Sequence, residues 1–266
     1  CIDGEFYIDC SGFRSLLLEK EMDATFNDWS DLLPCDSAIA IPCKTADSML
    51  KPYTQSTAKN AGWTWRIPLQ HRIGNGYVYA SKFTEKEAAL DDLMAQLEGE
   101  LSAGFIEPLE STGLHLIQSA IARLMTLFPS NRFCQSDIDM YNRQTTKEFE
   151  QIRDFIVLHY ALTERNDSEF WRYCRNISLS ESLEQKVQLY KDSGRIFRID
   201  NELFNETSWL AVMHGQGLRS EGYHPLVDRM STSLIDERLS HIASVINKSA
   251  SLLPEHAHFI AQLNVK

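Results

Sequence analysis

Positive charge is in short supply: 26 lysines and arginines stand against 37 aspartates and glutamates, a net charge of −11 over 266 residues. A surface of that sign repels phosphate, which excludes nucleic acid as a main partner. Long hydrophobic runs are also missing. No apolar stretch reaches the roughly 18 residues of a membrane span, and the opening residues have neither the basic start nor the apolar centre of a signal peptide. The sequence reads as a cytoplasmic protein that engages no membrane. Cysteine is sparse too. The six, at positions 1, 10, 35, 43, 134 and 174, contain no C-x-x-C pair and no histidine at finger spacing, so neither a dense disulfide framework nor a metal site is indicated. What is present, 43% hydrophobic residues, suffices for a real core. Because the chain opens on Cys1, directly in strand-like sequence without a cap or tail, it is expected to be a fragment.

Periodicity divides the chain. Phe6 to Cys10 is a short apolar run closed by Ser11-Gly12, and Phe13, Leu16 and Leu17 follow at helical spacing, which predicts strand, tight turn and helix. Ser37 to Ile41, closed by Pro42, is a second strand candidate. Trp63, Trp65 and Ile67 alternate with Thr64, Arg66 and Pro68, and Tyr77-Val78-Tyr79 follows Gly74-Asn75-Gly76, so the pair predicts a β-hairpin turning at those glycines. The expected sheet therefore comprises residues near 5–10, 37–41, 62–68 and 76–81.

Beyond Glu85 the period lengthens. Ala88, Ala89, Leu93, Met94 and Leu97 share one helix face, and Leu114, Ile117, Ile121, Leu124 and Phe128 define a second helix ended by Pro129. Segments near 138–162, 181–191, 207–218 and 228–248 are amphipathic, with no strand pattern of like strength among them. The fold class is α/β, of the α+β kind: a mixed sheet portion over residues 1–133, then a helical portion over 134–266 that packs on it.

Three stretches could carry chemistry. Ile8 to Gly12 places an acid and small residues at the end of a strand, a location suited to ligands but equally to simple turn chemistry. Trp63 and Trp65 put two large rings on one strand face, either as core or as the roof of a cavity. The densest stretch runs from Gly104 to Gly113. Ser111 and Thr112 stand where an N-cap should precede the helix beginning near Leu114. Free N–H groups there, with the Thr112 hydroxyl and a Gly113 that admits close approach, could bind an anion, and Glu110 beside them could act as acid or base. A capped helix with solvated carboxylates is the simpler alternative. Further on, His159-Tyr160 and Phe170-Trp171 are aromatic pairs suited to a core or to an indole-sized pocket.

Together these stretches resemble the flavin-dependent tryptophan halogenase family. Its W-x-W-x-I-P signature stands as Trp63-Thr64-Trp65-Arg66-Ile67-Pro68, and its S-A-G-F-x-E-P-L-E-S-T-G segment as Ser102 through Gly113. The likeness continues through Phe170-Trp171-Arg172, Ser208 to Met213 and Gly222-Tyr223-His224-Pro225. The resemblance implies an FAD-dependent monooxygenase-like fold, incomplete here, and an oxidoreductase. In the family, reduced FAD supplied by a flavin reductase reacts with dioxygen. The flavin hydroperoxide oxidises a halide to hypohalous acid, which halogenates an aromatic substrate under the direction of a lysine and a glutamate. By the same resemblance, Glu110 is the catalytic glutamate, Thr112 and Gly113 bind halide, and the main chain at Leu101 and Leu114 touches the flavin. Trp63 and Trp65 keep substrate away from the flavin, and His159, Tyr160, Asn166, Phe170 and Trp171 line the substrate side.

Three departures qualify it. The family's G-x-G-x-x-G motif and its catalytic lysine are not found, and a strand-bearing, Arg- and Lys-rich segment between Glu100 and Leu101 is absent. Where halogenases of free tryptophan carry a glutamate, this chain has Asn166, which removes the partner of a substrate ammonium group. The expected substrate is thus an indole or another small electron-rich aromatic, with a homodimer as one allowed assembly. By itself the chain is expected to be inactive and to retain no FAD. A non-catalytic remnant and a flavin-dependent aromatic hydroxylase are the alternatives. The tryptophan pair argues against the hydroxylase, which needs its substrate beside the flavin.

Overall fold

The computed structural model describes residues 6–11, 15–17, 21–22, 27–43, 51–70, 72–95, 112–129 and 133–263. Its sheet has four strands, β1 (Ser37–Cys43), β2 (Gln55–Lys59), β3 (Gly62–Pro68) and β4 (Ile73–Tyr79), in the order β1-β4-β3-β2. All three pairings are antiparallel, so no described pair makes the sheet mixed. Pro42, which has no N–H to offer a ladder, lies on the edge strand β1. The helices are α1 (Lys86–Met94), α2 (Thr112–Thr126), α3 (Gln135–Ala161), α4 (Glu169–Arg175), α5 (Glu181–Ser193), α6 (Glu206–Gly215), α7 (Thr232–Leu252) and α8 (His256–Leu263). No described residue beyond 140 is in a strand. An antiparallel sheet followed by helices is the expected α/β class in its α+β form.

The sheet is covered on both faces, which is why the central strand β4 is buried almost throughout. Tyr77 and Tyr79 face α1, where Ala89 and Leu93 meet them with Ile39 and Ile41. Trp63, Trp65 and Val78 face the other way, onto Tyr160 of α3 and Phe170, Trp171 and Cys174 of α4. Burial there pushes the Cys174 thiol up to about 12, leaving it an inert core residue. Phe155, Leu158, Leu183, Val187, Trp209 and Met213 form a second core among α3, α5 and α6. Leu33 and Ile177 pack against both clusters and join them. Beside the second core, Lys186 and Glu202 form a buried ion pair, Nζ lying 2.8 Å from both carboxylate oxygens.

Several expectations are corrected. Residues 6–10 form no strand. The Asp9 carboxylate instead accepts from the Ser11 and Leu17 N–H groups, both at 2.9 Å, so side chain–backbone bonds organise this segment in place of a ladder. Ser15 has φ +41°, which no helix interior tolerates, and Leu16 and Leu17 lie in a turn; Phe13 is outside the described residues. β2 was not expected, because Gln55-Ser56-Thr57-Ala58-Lys59 is an almost wholly exposed edge strand without apolar alternation. Gly74 to Gly76 lie inside β4 and are no turn. The hairpin closes at Leu69 to Arg72, where the Leu69 N–H donates to the Arg72 carbonyl at 2.8 Å. Gly76 is required in the strand because the Trp65 ring lies over it: a Cβ there would sit 2.0 Å from Trp65 Cζ2. α4 and α8 were also missed, and α7 starts later than expected because Pro225–Arg229 forms a separate 3-10 turn.

α2 is held chiefly by polar contacts among the described residues. Its apolar residues Leu114, Ile117, Ile121 and Met125 are exposed, and Thr112 is its one buried residue. It is clamped to α3 by Glu148, whose Oε1 lies 3.0 Å from His115 Nε2 and whose Oε2 accepts from Ser119 Oγ and Arg123 Nη2, each at 2.7 Å. Burial pushes the Glu148 carboxyl up, but the bonds from Arg123, Ser119 and His115 together outweigh it and hold the group below the ordinary carboxylate range.

Two outcomes are expected. Gly76→Val drives the Trp65 ring from its seat, lowering stability by about 1–3 kcal/mol and shifting tryptophan emission to the red; an unchanged midpoint and spectrum would refute this packing. For Glu148, a carboxyl held low in the folded state stabilises it fully above the ordinary glutamate value of about 4.3 and loses that contribution as pH falls through its folded value. The protection of α2 amides, taken relative to their intrinsic exchange rate at each pH, should therefore fall over that acid range in the wild type. Glu148→Gln should flatten the dependence, and an identical pH profile in both proteins counts against the clamp.

Candidate functional site

The site is built on the start of α2 and on the seam between sheet and helices. Among the described residues α2 runs from Thr112, so Thr112, expected as a cap, is helical. No acidic residue stands in the first turn to offset the positive end of the helix dipole. Thr112 is 8% exposed, while Leu114 is 66% exposed. At Gly113 a Cβ would meet nothing within 4 Å among the described residues. Glu110 and Leu101 lie outside the described residues.

In the seam, Trp63 and Trp65 are side by side with centroids 6.0 Å apart, as the i, i+2 spacing requires. Trp63 Nε1 donates to the Tyr160 hydroxyl at 3.0 Å, and Trp171 Nε1 donates to the Lys59 carbonyl at 2.7 Å. Tyr160, Phe170 and Trp171 pack on one another, with centroid distances of 6.1 Å for Tyr160–Phe170 and 4.8 Å for Phe170–Trp171. Ile67 is half-buried against the same cluster, and Pro68 ends β3 beyond it. Thus Trp63, Trp65, Ile67, Tyr160, Phe170 and Trp171 are brought together. Phe170, at 0% exposure, has no free face.

His159 and Asn166 stand apart from them. His159 turns to the second core, its Nδ1 donating to the Phe155 carbonyl at 2.9 Å. Asn166 is exposed, and its carbonyl accepts from Arg172 Nη1 at 2.7 Å. The sequence reading missed neighbours that shape the cluster. Cys35 Sγ receives the Tyr160 hydroxyl at 3.6 Å, Phe83 meets Phe170 edge-on, and the Arg165 guanidinium covers the Trp171 ring at 4.9 Å. Only the last had a local signal, an arginine six residues ahead of a tryptophan across the Ser168 cap, and it is a weak one.

Two larger cavities lie along α2 and α3, away from the aromatic seam. One of about 460 Å³ is lined by Arg123, Arg143, Lys147, Glu148 and Asp200 among others. Another of about 420 Å³ is mainly apolar, with Phe6, Ile8, Leu124, Phe133, Ile138 and Tyr141 in its wall. Among the described residues no group of three or more His, Cys, Asp or Glu is placed to hold a metal ion, and no helix is long and apolar enough to cross a membrane.

Comparison with known proteins sets this geometry in context. The family profile described as tryptophan halogenase matches residues 1–103 and 99–232. The flavin-dependent halogenase Xcc4156 from Xanthomonas campestris superposes with a TM-score of 0.94 at 38% identity, over 98% of this chain and 58% of that one. BrvH, a flavin-dependent halogenase from Brevundimonas sp. BAL3, gives 0.92 at 38% identity, over 98% of this chain and 59% of that one. The tryptophan 7-halogenase KtzQ of Kutzneria sp. (strain 744) is 35% identical over 217 residues, 70% of this chain and 41% of the relative. The chain spans about half the length of the curated relatives it matches. A profile match that takes in most of the residues, carried on a shared framework at more than a third identity, has one consequence: the chain belongs to the tryptophan halogenase family.

Proposed function

We propose that this chain supplies the halide site and the substrate side of a flavin-dependent halogenase acting on an indole or another small electron-rich aromatic. The observation that carries the reading is Gly113. At Gly113 a Cβ would meet nothing within 4 Å among the described residues, so the position admits close approach to the backbone. An open backbone position near the start of the described helix suits a bound anion.

In this reading residues 1–133 hold the flavin side and 134–266 the substrate side. The N–H groups of Thr112 and Gly113, with the Thr112 hydroxyl, hold the halide, and Glu110 acts as acid or base at the reacting atoms. The main chain at Leu101 and Leu114 meets the flavin ring. When bound, reduced FAD with dioxygen supplies the oxidising equivalents that turn halide into hypohalous acid, and a separate reductase supplies the reduced flavin. Trp63 and Trp65 act as a rigid partition, supported by their burial in the seam. Tyr160, Phe170 and Trp171, buried in the seam, support from behind the wall against which the aromatic is held; His159 braces α3 from the second core, and the exposed Asn166 stands outside the cluster. Asparagine at 166 supports a substrate without an ammonium group in place of free tryptophan. The profile match falls into two spans that meet at residues 99–103, which supports a direct join there where relatives carry a further segment.

In flavin-loaded enzyme carrying this chain, Gly113→Val should raise the halide concentration needed for half-maximal turnover by roughly tenfold or more, as the side chain crowds the anion. An unchanged halide dependence removes the site from this loop. Glu110→Gln should lower halogenation by about 10² or more while leaving the thermal midpoint near wild type. If activity persists and only the midpoint moves, Glu110 is an ordinary helix-end carboxylate.

A further inference from the structure

The seam also holds a chain of oxidisable side chains in direct contact. Trp65 lies against Trp63, with ring centroids 6.0 Å apart. Trp63 Nε1 donates to the Tyr160 hydroxyl at 3.0 Å, and that hydroxyl donates in turn to Cys35 Sγ at 3.6 Å. Trp171 stacks on the same phenol ring, with centroids 6.4 Å apart. Indole, phenol and thiol thus follow one another, each somewhat easier to oxidise at neutral pH than the one before. The chain also runs outward. Trp63, Trp65 and Tyr160 are buried, whereas Cys35 is half-buried at the edge of their cluster. Cys174 belongs to that cluster too, but at 0% exposure no water can take a proton from it. Sulfur is a weak acceptor, so hydrogen-bond strength alone does not account for a thiol opposite the phenol.

We propose that Trp65, Trp63, Tyr160 and Cys35 form a relay that carries one-electron oxidation out of the seam to a thiol at its edge. The oxidant is of the radical class, such as a halogen or hydroxyl radical. Its source is the oxidising chemistry of the proposed function, and for that source alone the inference rests on that reading. The Trp63 indole gives one electron to the oxidant, and Tyr160 returns one to the indole, whose N–H bond stays intact. The Tyr160 O–H proton passes along its hydrogen bond to Cys35 Sγ as the S–H proton leaves to water. The phenoxyl oxygen then takes hydrogen from Cys35: an O–H bond forms, the S–H bond breaks, and the unpaired electron rests on sulfur. The net change is one electron to the oxidant, one proton to water and a thiyl radical at Cys35. An electron lost from Trp65 is replaced from Trp63 and enters the same sequence. A small thiol such as glutathione restores Cys35 by giving up its S–H hydrogen and leaving as a thiyl radical. Oxidation thereby ends on a residue whose first oxidation products are reversible, and spares the indoles that tie the helices to the sheet.

The test uses the 266-residue chain without flavin, so that its outcome is independent of halogenation. Ultraviolet photoionisation removes electrons from the tryptophans, and hexaamminecobalt(III) takes up the ejected electrons. Transient absorption follows the tryptophan and tyrosyl radicals, and a nitrone spin trap with peptide mass spectrometry locates thiyl radicals. In the wild type the tryptophan signal should give way to a short-lived tyrosyl signal and a trapped adduct at Cys35. Cys35→Ser should leave the tyrosyl radical long-lived. Tyr160→Phe and Trp63→Phe should each abolish the Cys35 adduct, while adducts at the exposed Cys10 and Cys134, formed outside the relay, should not change. Thermal midpoints of all variants are measured alongside, and Cys35→Ser, at the edge of the cluster, tests the final step even where a ring substitution loosens the seam. A Cys35 adduct that survives both ring substitutions, a tyrosyl lifetime that Cys35→Ser leaves unchanged, or the absence of any tyrosyl signal would each overturn the relay. A relay that operates in this chain while flavin-loaded enzyme fails to halogenate stands, and the proposed activity alone is lost.

Discussion

The seam between sheet and helices depends on a reciprocal pair of indole hydrogen bonds. A sheet tryptophan, Trp63, donates to a helix hydroxyl at Tyr160, and a helix tryptophan, Trp171, donates to a sheet carbonyl at Lys59. Fully burying one large apolar side chain contributes about 1.5–3 kcal/mol, so the rings dominate cohesion. Each bond adds only about 1 kcal/mol net. Leaving a buried indole N–H unpaired would cost more than that, so the bonds decide how the rings sit even though burial decides that they sit there. With both ends tied, α3 and α4 have one register on the sheet. The second core and its buried Lys186–Glu202 pair then follow from where α3 emerges.

α2 obeys another logic. Its described tie to α3 is polar and centred on one carboxylate, while its apolar row faces outward. Helices held by few buried contacts lie at the low end of local stability, a property found where binding sites must adjust. The helix start that carries Thr112 and Gly113 is therefore coupled to α3 through Glu148 and not through the aromatic seam. The rigid seam and the adjustable helix are separate mechanical parts.

The same contrast explains what was legible in the sequence. Alternating large residues at Trp63, Trp65, Tyr77 and Tyr79 announce their hairpin, and long helices announce themselves by period. β2 did not, because an exposed edge strand has no buried face to pattern. α4 did not, because seven residues are too few turns for a period to show. Gly74 to Gly76 misled because a glycine covered by a ring from the next strand has the composition of a turn. At the candidate site the Phe170-Trp171 pair was legible as an aromatic cluster. His159 and Tyr160 are adjacent in sequence, but neighbours on a helix point about 100° apart, so one joins the seam and the other the second core.

Two glycines bring fold and function to one argument. Each gives up a side chain inside regular structure, which disfavours that structure unless the vacated space is used. At Gly76 the user is visible: the Trp65 ring occupies the place of the missing Cβ, and the glycine is explained wholly from within the fold. At Gly113 nothing among the described residues comes that close, while Thr112 beside it is buried. Packing among the described residues thus accounts for the first glycine and does not account for the second. In the proposed reading a small anion meets what that position offers, which is room and the positive end of a helix dipole.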